Sequence, residues 1–143
     1  MPTAEQVLSQ APLYTDEQLY RLIHLPPRAI TAAAGVLAEV GTAFSTLVVD
    51  KDEVTLLLPE DDWGFFANRL PDHRAAGLFR LITFDLVLEP TLIGFMALVT
   101  RLLADAEISI LAVSAFERDH ILIPAAQFDM AWKVLKTAQN SSK

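Results

Sequence analysis

Histidine, serine and acidic residues are the side chains here that most often carry chemistry, and their spacing favours neither catalysis nor metal binding. Ser114 lacks the Gly-x-Ser-x-Gly context of a hydrolase nucleophile. The acidic turn at residues 50–53 lacks the glycine and the length of a calcium-binding loop. No metal-ligand spacing relates the histidines to one another or to a carboxylate pair; they are His24, His73 and His120. We therefore expect no catalytic residue, no metal and no cofactor.

The composition excludes several other classes of function. The chain has 143 residues and a net charge of −7, which argues against nucleic acid and anionic membranes as partners because both require a basic surface. It has no cysteine, and hence no disulfide framework. Its N-terminal sequence lacks the features of a signal peptide, and the apolar run at 92–99 is too short to span a bilayer. We expect a folded cytoplasmic protein.

Two pairs of similar segments indicate that the chain contains one structural unit twice. YRLIHL at 20–25 resembles FRLITF at 79–84, and LLLPEDDW at 56–63 resembles ILIPAAQF at 121–128. The pairs occur in the same order, with a helix-like stretch and an apolar run between them. Repetition of this kind is a strong fold signal. An interface between similar domains is also a common place for a small ligand.

The first predicted repeat covers residues 19–70 and follows a loose polar arm at 1–18. Hydrophobic periodicity, prolines and turn residues define its elements. These are a strand at 19–25, a helix at 28–40, strands at 44–50 and 53–58, and a helix at 60–70.

The second predicted repeat covers residues 78–138, after a linker at 71–77 and before a frayed tail at 139–143. Its elements are a strand at 78–88, a helix at 92–106, strands at 108–115 and 119–123, and a helix at 125–138. Each repeat therefore has the order β, α, β, β, α. Antiparallel sheets with helices on one face give an α+β fold of the ferredoxin-like kind.

The second repeat resembles an ACT domain, a small ligand-binding module of amino-acid metabolism. Four features carry the resemblance: Gly94 at a helix start, LADAEISILAVSAF at 103–116, Asp119 opening the strand in RDHILIP, and Pro124 after it. The first repeat is more divergent, but its segment 44–60 resembles the leading hairpin of small paired-ACT bacterial proteins and arginine sensors. A complete ACT domain also has a fourth strand. Either the strand at 78–88 serves both repeats or the fourth strand comes from elsewhere.

The resemblance implies a ligand site at the loop between the first strand and first helix of the second repeat. In ACT domains the ligand lies between two copies and is held mainly by backbone groups of this loop. A carboxylate suits a helix N-terminus, and glycine allows close approach. Asp119 or Glu89 would hold the amino or side-chain nitrogen. The expected ligand-binding residues are Glu89, Thr91, Leu92, Ile93, Gly94, Ser114 and Asp119.

Each of these residues also has a purely structural interpretation. Gly94 can simply relieve a helix–sheet contact, and Asp119 can be an ordinary turn residue. Ser114 and Glu89 can simply face solvent.

The sequence predicts a regulatory or sensor protein that binds a small molecule, by preference an amino acid, between repeats or subunits. A cationic amino acid suits the negative charge better than an anionic one. The alternatives are a ligand-independent oligomerisation or protein-interaction module and a small ferredoxin-like enzyme, because fold alone does not fix function. We also expect a homodimer. We expect this because two small sheets, each with one buried face, would not bury all of the aromatic residues. Those that motivate the expectation are Phe65, Phe66, Phe84 and Phe116.

Overall fold

The computed structural model describes residues 2–41 and 43–141, which divide into two compact units. Unit 1 combines the residues up to Glu17 with those from Arg80 onward, and unit 2 spans Gln18–Phe79. Unit 1 therefore contains the segments nearest both chain ends. This differs from the expected order of a loose arm followed by two consecutive repeats.

Seven strands and five α-helices are found in the described residues, numbered here along the chain. In unit 1 they are α1 (Ala4–Gln10), β1 (Leu13–Tyr14), α4 (Phe95–Asp105), β6 (Leu111–Ser114), β7 (Asp119–Pro124) and α5 (Phe128–Ser141). In unit 2 they are β2 (Tyr20–Leu25), α2 (Ile30–Glu39), β3 (Thr46–Val49), β4 (Val54–Pro59) and α3 (Glu60–Phe66). Strand β5 (Arg74–Phe84) contributes residues to both.

Unit 2 is an antiparallel sheet in the order β3–β4–β2–β5, with its helices on one face. In β2 the side chains of Ile23 and Leu25 point to that face, because alternate residues of a strand share a face. They pack with Val54, Leu56 and Leu58 of β4 in one buried cluster. The helices complete this core with small or aromatic residues, chiefly Ala33, Val36, Trp63 and Phe66.

Unit 1 has the same arrangement, with the sheet order β1–β5–β7–β6. Ile82 and Phe84 of β5 lie beside Ile121 and Ile123 of β7 in its buried core. One helical stripe of α4 and one of α5 cover them, at the three- and four-residue spacing of an amphipathic helix. The buried apolar residues of these two helices are Phe95, Val99 and Leu103 in α4 and Phe128, Ala131 and Leu135 in α5. The α+β, ferredoxin-like class predicted from the sequence is confirmed.

The fourth strand of each unit has a different origin. In unit 2 the early residues of β5 pair with β2, for example Ala76 with Leu22. In unit 1 the late residues of β5 pair with β1, with Leu13 opposite Phe84 and Tyr14 opposite Thr83. One long strand thus closes unit 2 and opens unit 1, while the N-terminal segment supplies the remaining strand of unit 1.

The expected loose arm at the N-terminus is wrong for most of its length. Thr3 and Gln6 form a capping box that starts α1, and such a box satisfies two helix N–H groups at once. Val7 and Leu8 are buried in the unit 1 core. Gln139 Nε2 donates to the carbonyl oxygens of Leu8 (2.8 Å) and Ala11 (2.6 Å), which ties the segment to α5. The sequence signal T-x-x-Q was present but was overlooked.

Several predicted boundaries also differ from the structure. The linker at 71–77 is partly strand, because β5 begins at Arg74, and β5 ends at Phe84 instead of residue 88. The tail predicted to fray from 139 is helical through Ser141, while residues 142–143 lie outside the described residues.

The aromatic residues that motivated a dimer fall into two groups. Phe66 packs in the core of unit 2, and Phe84 packs in the core of unit 1. Phe65 is 78% exposed and Phe116 is 95% exposed. Only this second pair remains available for contact with another molecule.

Candidate ligand-binding site

The start of α4 is defined by the backbone of Gly94. Its φ of +84° lies in the left-handed region, which glycine adopts without strain. A Cβ added at Gly94 would meet no atom within 4 Å. The interpretation that this glycine relieves a helix–sheet contact is therefore wrong, because no neighbour is close enough to require it. Gly94 serves the turn into the helix and leaves open space in front of it.

No side chain caps α4, so its first N–H groups face outward. The first turn of any α-helix has N–H groups without partners inside the helix. These groups carry a partial positive charge, to which the helix dipole adds. Here they belong to Phe95, Met96 and Ala97, all of which line a cavity. This end of the helix therefore suits an anionic group.

The hairpin formed by β6 and β7 provides the facing wall. Ser114 and Asp119 are paired across the two strands, and Ser114 Oγ donates to Asp119 Oδ1 over 2.7 Å. The N–H of Ala115 donates to the carbonyl oxygen of Arg118 over 2.9 Å, which closes the turn. Asp119 is thus the first residue of a strand and not a turn residue. Among the residues described, no hydrogen bond to its second carboxylate oxygen is found.

One main-chain bond holds the loop before α4 against this hairpin. The N–H of Leu88 donates to the carbonyl oxygen of Glu117 over 2.7 Å. Between the loop and the hairpin lies a cavity of about 480 Å³. That volume is within the range of small-molecule sites, roughly 300–1,000 Å³.

Five of the seven predicted site residues line this cavity: Glu89, Leu92, Gly94, Ser114 and Asp119. Thr91 and Ile93 are not among the described residues that line it. Both lie on the outside of the loop, and Ile93 is 89% exposed. They were expected to contribute backbone groups of the loop, and the outward position of their side chains leaves that prediction as it stood.

Sequence reasoning missed Glu117 and Arg118 as lining residues, although both precede Asp119 directly. Arg118 Nε donates to Asp85 Oδ1 over 2.8 Å, and its Nη1 donates to Glu117 Oε2 over 3.2 Å. These bonds, chiefly the one to Asp85, raise the pKa of the Arg118 guanidinium. Arg118, the cation that lines the cavity, is therefore already paired with carboxylates. The carboxylates of Glu89 and Asp119 give the opening a negative balance.

His120 lies next to Asp119 on β7 and is half-buried. Its Nδ1 is 2.8 Å from Thr83 Oγ1. Burial lowers the pKa of His120, and Arg118 adds to this effect while Asp119 opposes it. The folded protein therefore binds this proton less readily than the unfolded chain, whose histidine titrates at the ordinary value of 6.5.

This difference predicts a pH-dependent stability. The contribution of His120 is complete above its ordinary pKa of 6.5 and is lost as the pH falls from there towards the lower folded pKa. We expect His120→Gln to reduce the fall in the urea midpoint between about pH 7.5 and pH 5.5, because glutamine does not titrate. Urea unfolding of the wild type and of the variant at the two pH values measures this change in midpoint. A variant whose midpoint falls as far as that of the wild type would contradict the assignment.

Other kinds of site were also sought in the described part of the chain. Within residues 2–41 and 43–141 there is no group of three or more His, Cys, Asp or Glu residues positioned to hold a metal ion. None of the helices described is both long enough and apolar enough to cross a membrane.

Sequence comparison connects the second half of the chain with a known family. Residues 78–137 match the family model of the ACT domain. This range contains the loop, α4 and the hairpin that enclose the cavity. A comparison with curated protein sequences finds no match.

Solved structures share the fold over almost the whole chain. A Vibrio cholerae protein of unknown function, described as a possible transport protein, has a TM-score of 0.73 at 20% identity, covering 96% of each chain. The regulatory subunit of aspartate kinase from Thermus flavus has a TM-score of 0.69 at 14% identity, covering 88% of this chain and 95% of that one. An Agrobacterium tumefaciens protein has a TM-score of 0.67 at 22% identity, with 89% and 87% covered. At these identities the likeness concerns the fold.

Proposed function

We propose that this protein is a regulatory or sensor protein that binds a free amino acid in the cavity between the loop before α4 and the β6–β7 hairpin. The observation that carries the proposal is that groups of opposite charge line two walls of one cavity. Uncapped N–H groups of α4 lie at one wall, and the carboxylate of Asp119 lies at the other. A zwitterion has one charged group for each.

The orientation of the ligand follows from these charges. Its carboxylate would accept from the N–H groups after Gly94, where glycine lets it approach the backbone. Its amino group would donate to Asp119, and a cationic side chain would reach the exposed Glu89. Because Arg118 is already paired with Asp85 and Glu117, it does not compete for the ligand carboxylate. The negative balance of the opening favours a basic amino acid over an acidic one.

The regulatory part of the proposal rests on the comparisons. The ACT match covers the segment that builds the cavity, and one structural neighbour is a regulatory subunit of aspartate kinase. We propose that unit 2 is a second, divergent ACT-like copy, since it repeats the strand order of unit 1. The protein would then change the state of a regulated partner and catalyse no reaction itself.

Thermal shift against the twenty amino acids tests the proposal. A ligand that binds only the folded state at 100 times its Kd stabilises it by about 2.7 kcal/mol, which raises the melting temperature by several degrees. Gly94→Asn should abolish this rise, because asparagine tolerates the left-handed backbone but fills the space in front of α4.

Gly41→Asn is the matched control for this substitution. Gly41 has a φ of +85°, and a Cβ there likewise meets no atom within 4 Å. It lies in unit 2 and does not line the cavity. We expect both variants to melt alike without ligand and only Gly94→Asn to lose the response. A response that survives in Gly94→Asn would show that the ligand lies elsewhere.

The second candidate function is a ligand-independent oligomerisation or interaction module. It is favoured by Phe116 and Ile93, which are 95% and 89% exposed on the two sides of the cavity. A homodimer in which a second copy covers these side chains would also fit ligand binding. If no amino acid raises the melting temperature and light scattering still gives a dimer, the interaction module becomes the better proposal.

A further inference from the structure

The helix-free face of the unit 2 sheet brings together polar side chains from three adjacent strands. His24 of β2 lies opposite Thr55 of β4 on one side and opposite Arg74 of β5 on the other. Directly paired residues share a face of the sheet. Glu53 precedes Thr55 by two residues and therefore belongs to the same face. The neighbouring residues Ile23 and Leu25 point the other way, into the core.

These side chains surround a shallow cavity of about 400 Å³. Its lining includes His24, Glu53, Thr55 and Arg74, while Ala75 and Ala76 of β5 leave room above the sheet. All of its lining residues belong to unit 2, so this cavity is separate from the one beside α4. It is large enough for a molecule of amino-acid size.

Arg74 differs from the other arginines of its unit. Arg21 pairs with Glu60, Arg28 with Asp72 and Arg69 with Glu39. No ion pair to Arg74 is found anywhere in residues 2–41 and 43–141, and its side chain is exposed. A guanidinium has five N–H donors in a planar fork that matches a carboxylate. In this cavity that fork is open to a ligand.

His24 carries a second unused polar group. Its Nδ1 is buried and has no hydrogen-bond partner among the residues described. Buried polar atoms of native proteins are nearly always bonded, and each exception calls for an explanation. The half-buried Glu53 accepts one long bond, 3.5 Å from Thr55 Oγ1 to its Oε1, and retains acceptor capacity.

Arg74 and Glu53 come from opposite sides of β2 and form no ion pair with each other. Their strands lie on opposite sides of β2, and two strand spacings separate backbones by about 9–10 Å. A cation on one side of His24 and an anion on the other match the two ends of a zwitterion.

We propose that this face of unit 2 is a second small-molecule site, for a zwitterion of the amino-acid class. The ligand carboxylate binds the Arg74 guanidinium, its ammonium group binds Glu53, and it lies over the imidazole of His24. This site does not depend on the cavity beside α4, and its ligand need not be the same amino acid.

NMR of the histidine rings in the intact protein tests the proposal, because the chain has only three histidines. His24 lines this cavity, whereas His120 does not line the cavity beside α4 and only follows Asp119, which does. His73, whose Nδ1 is 2.9 Å from the carbonyl oxygen of Leu70, lines neither and is the reference. Each of the twenty amino acids is titrated to ~10 mM, which detects millimolar dissociation constants. We expect at least one to shift the His24 resonances and leave those of His73 unchanged.

Arg74→Gln should weaken that ligand about tenfold or more, because it removes a charge-assisted bond. Lys51→Gln is the control: Lys51 is an exposed cation of the same unit that pairs with Asp52 outside the cavity. It should leave the affinity within about twofold. The proposal is overturned if no amino acid shifts His24, or if Arg74→Gln binds as tightly as Lys51→Gln. Shifts confined to His120 would overturn it while supporting the function proposed for unit 1.

Discussion

Asp119→Asn is expected to weaken amino-acid binding about 10- to 150-fold, because the variant loses the charge that we propose meets the ligand's ammonium group. A hydrogen bond to a charged group is worth about 1.5–3 kcal/mol, and each 1.4 kcal/mol is a factor of about ten in affinity. The fold should be unaffected. Asparagine keeps the Oδ1 atom that accepts from Ser114 Oγ, so the contact across the hairpin persists.

Asp105→Asn is the matched control for this change. Asp105 is exposed at the end of α4, away from the cavity, and its replacement removes the same charge from the same unit. Calorimetric titration of the ligand found by thermal shift measures both variants. Equal affinities for the two would show that only net charge matters, and the assignment of Asp119 as a contact residue would fail.

Phe84→Ala is expected to lower the free energy of unfolding by about 3–5 kcal/mol, the usual cost of truncating a buried phenylalanine. Phe84 is fully buried in the unit 1 core. Its ring packs edge to face against Phe95, with 5.1 Å between the ring centroids. The variant loses this aromatic contact as well as buried apolar area. Since the free energy of unfolding of a small protein is only about 5–15 kcal/mol, such a loss is severe.

Phe116→Ala removes the same atoms from a site that is 95% exposed. Surface substitutions usually change stability by less than about 0.5 kcal/mol, so this variant should unfold like the wild type. Urea unfolding followed by circular dichroism compares the two. A Phe84→Ala protein with a midpoint near that of Phe116→Ala would mean that unit 1 is not held by the core described here.

The position of Phe84 also links the core to the site. Phe95 is the first residue of α4 and lines the cavity beside Gly94. Its ring fixes the start of the helix by packing on Phe84, so the N–H groups that face the cavity depend on this contact. We therefore expect ligand affinity to fall in Phe84→Ala, measured under conditions in which the variant is still folded.

Local sequence signals were sufficient for the main elements. Apolar residues followed by proline in YRLIHL and ILIP predicted β2 and β7, and helical hydrophobic periodicity predicted α4. Prolines marked the ends of strands because they cannot extend a ladder. Signals that depend on distant partners were misread. The capping box of α1 was visible, but its burial depends on Gln139 of α5, more than a hundred residues away.

Only part of the cavity lining could be predicted, for the same reason. A glycine before an amphipathic helix and an aspartate at a strand start are local features, and both line the cavity. Arg118 and Glu117 were missed because their place at the cavity depends on the hairpin turn and on the bond from Leu88 to Glu117. Thr91 and Ile93, which were expected to contact the ligand through the backbone, do not line the cavity, since sequence order does not show which way a loop residue points.

By itself, the sequence determined the α+β class, the repeated order of elements and the chemistry available at Gly94 and Asp119. These follow from periodicity, breakers and residue type, which act over a few residues. The tertiary structure alone decided which strand completes each sheet. The first part of β5 pairs with β2 and its last residues pair with β1. β1 has only two residues, too few for a recognisable strand pattern in the sequence. Strand pairing joins segments that are distant in sequence, so a local pattern does not show which edge a strand will pair with.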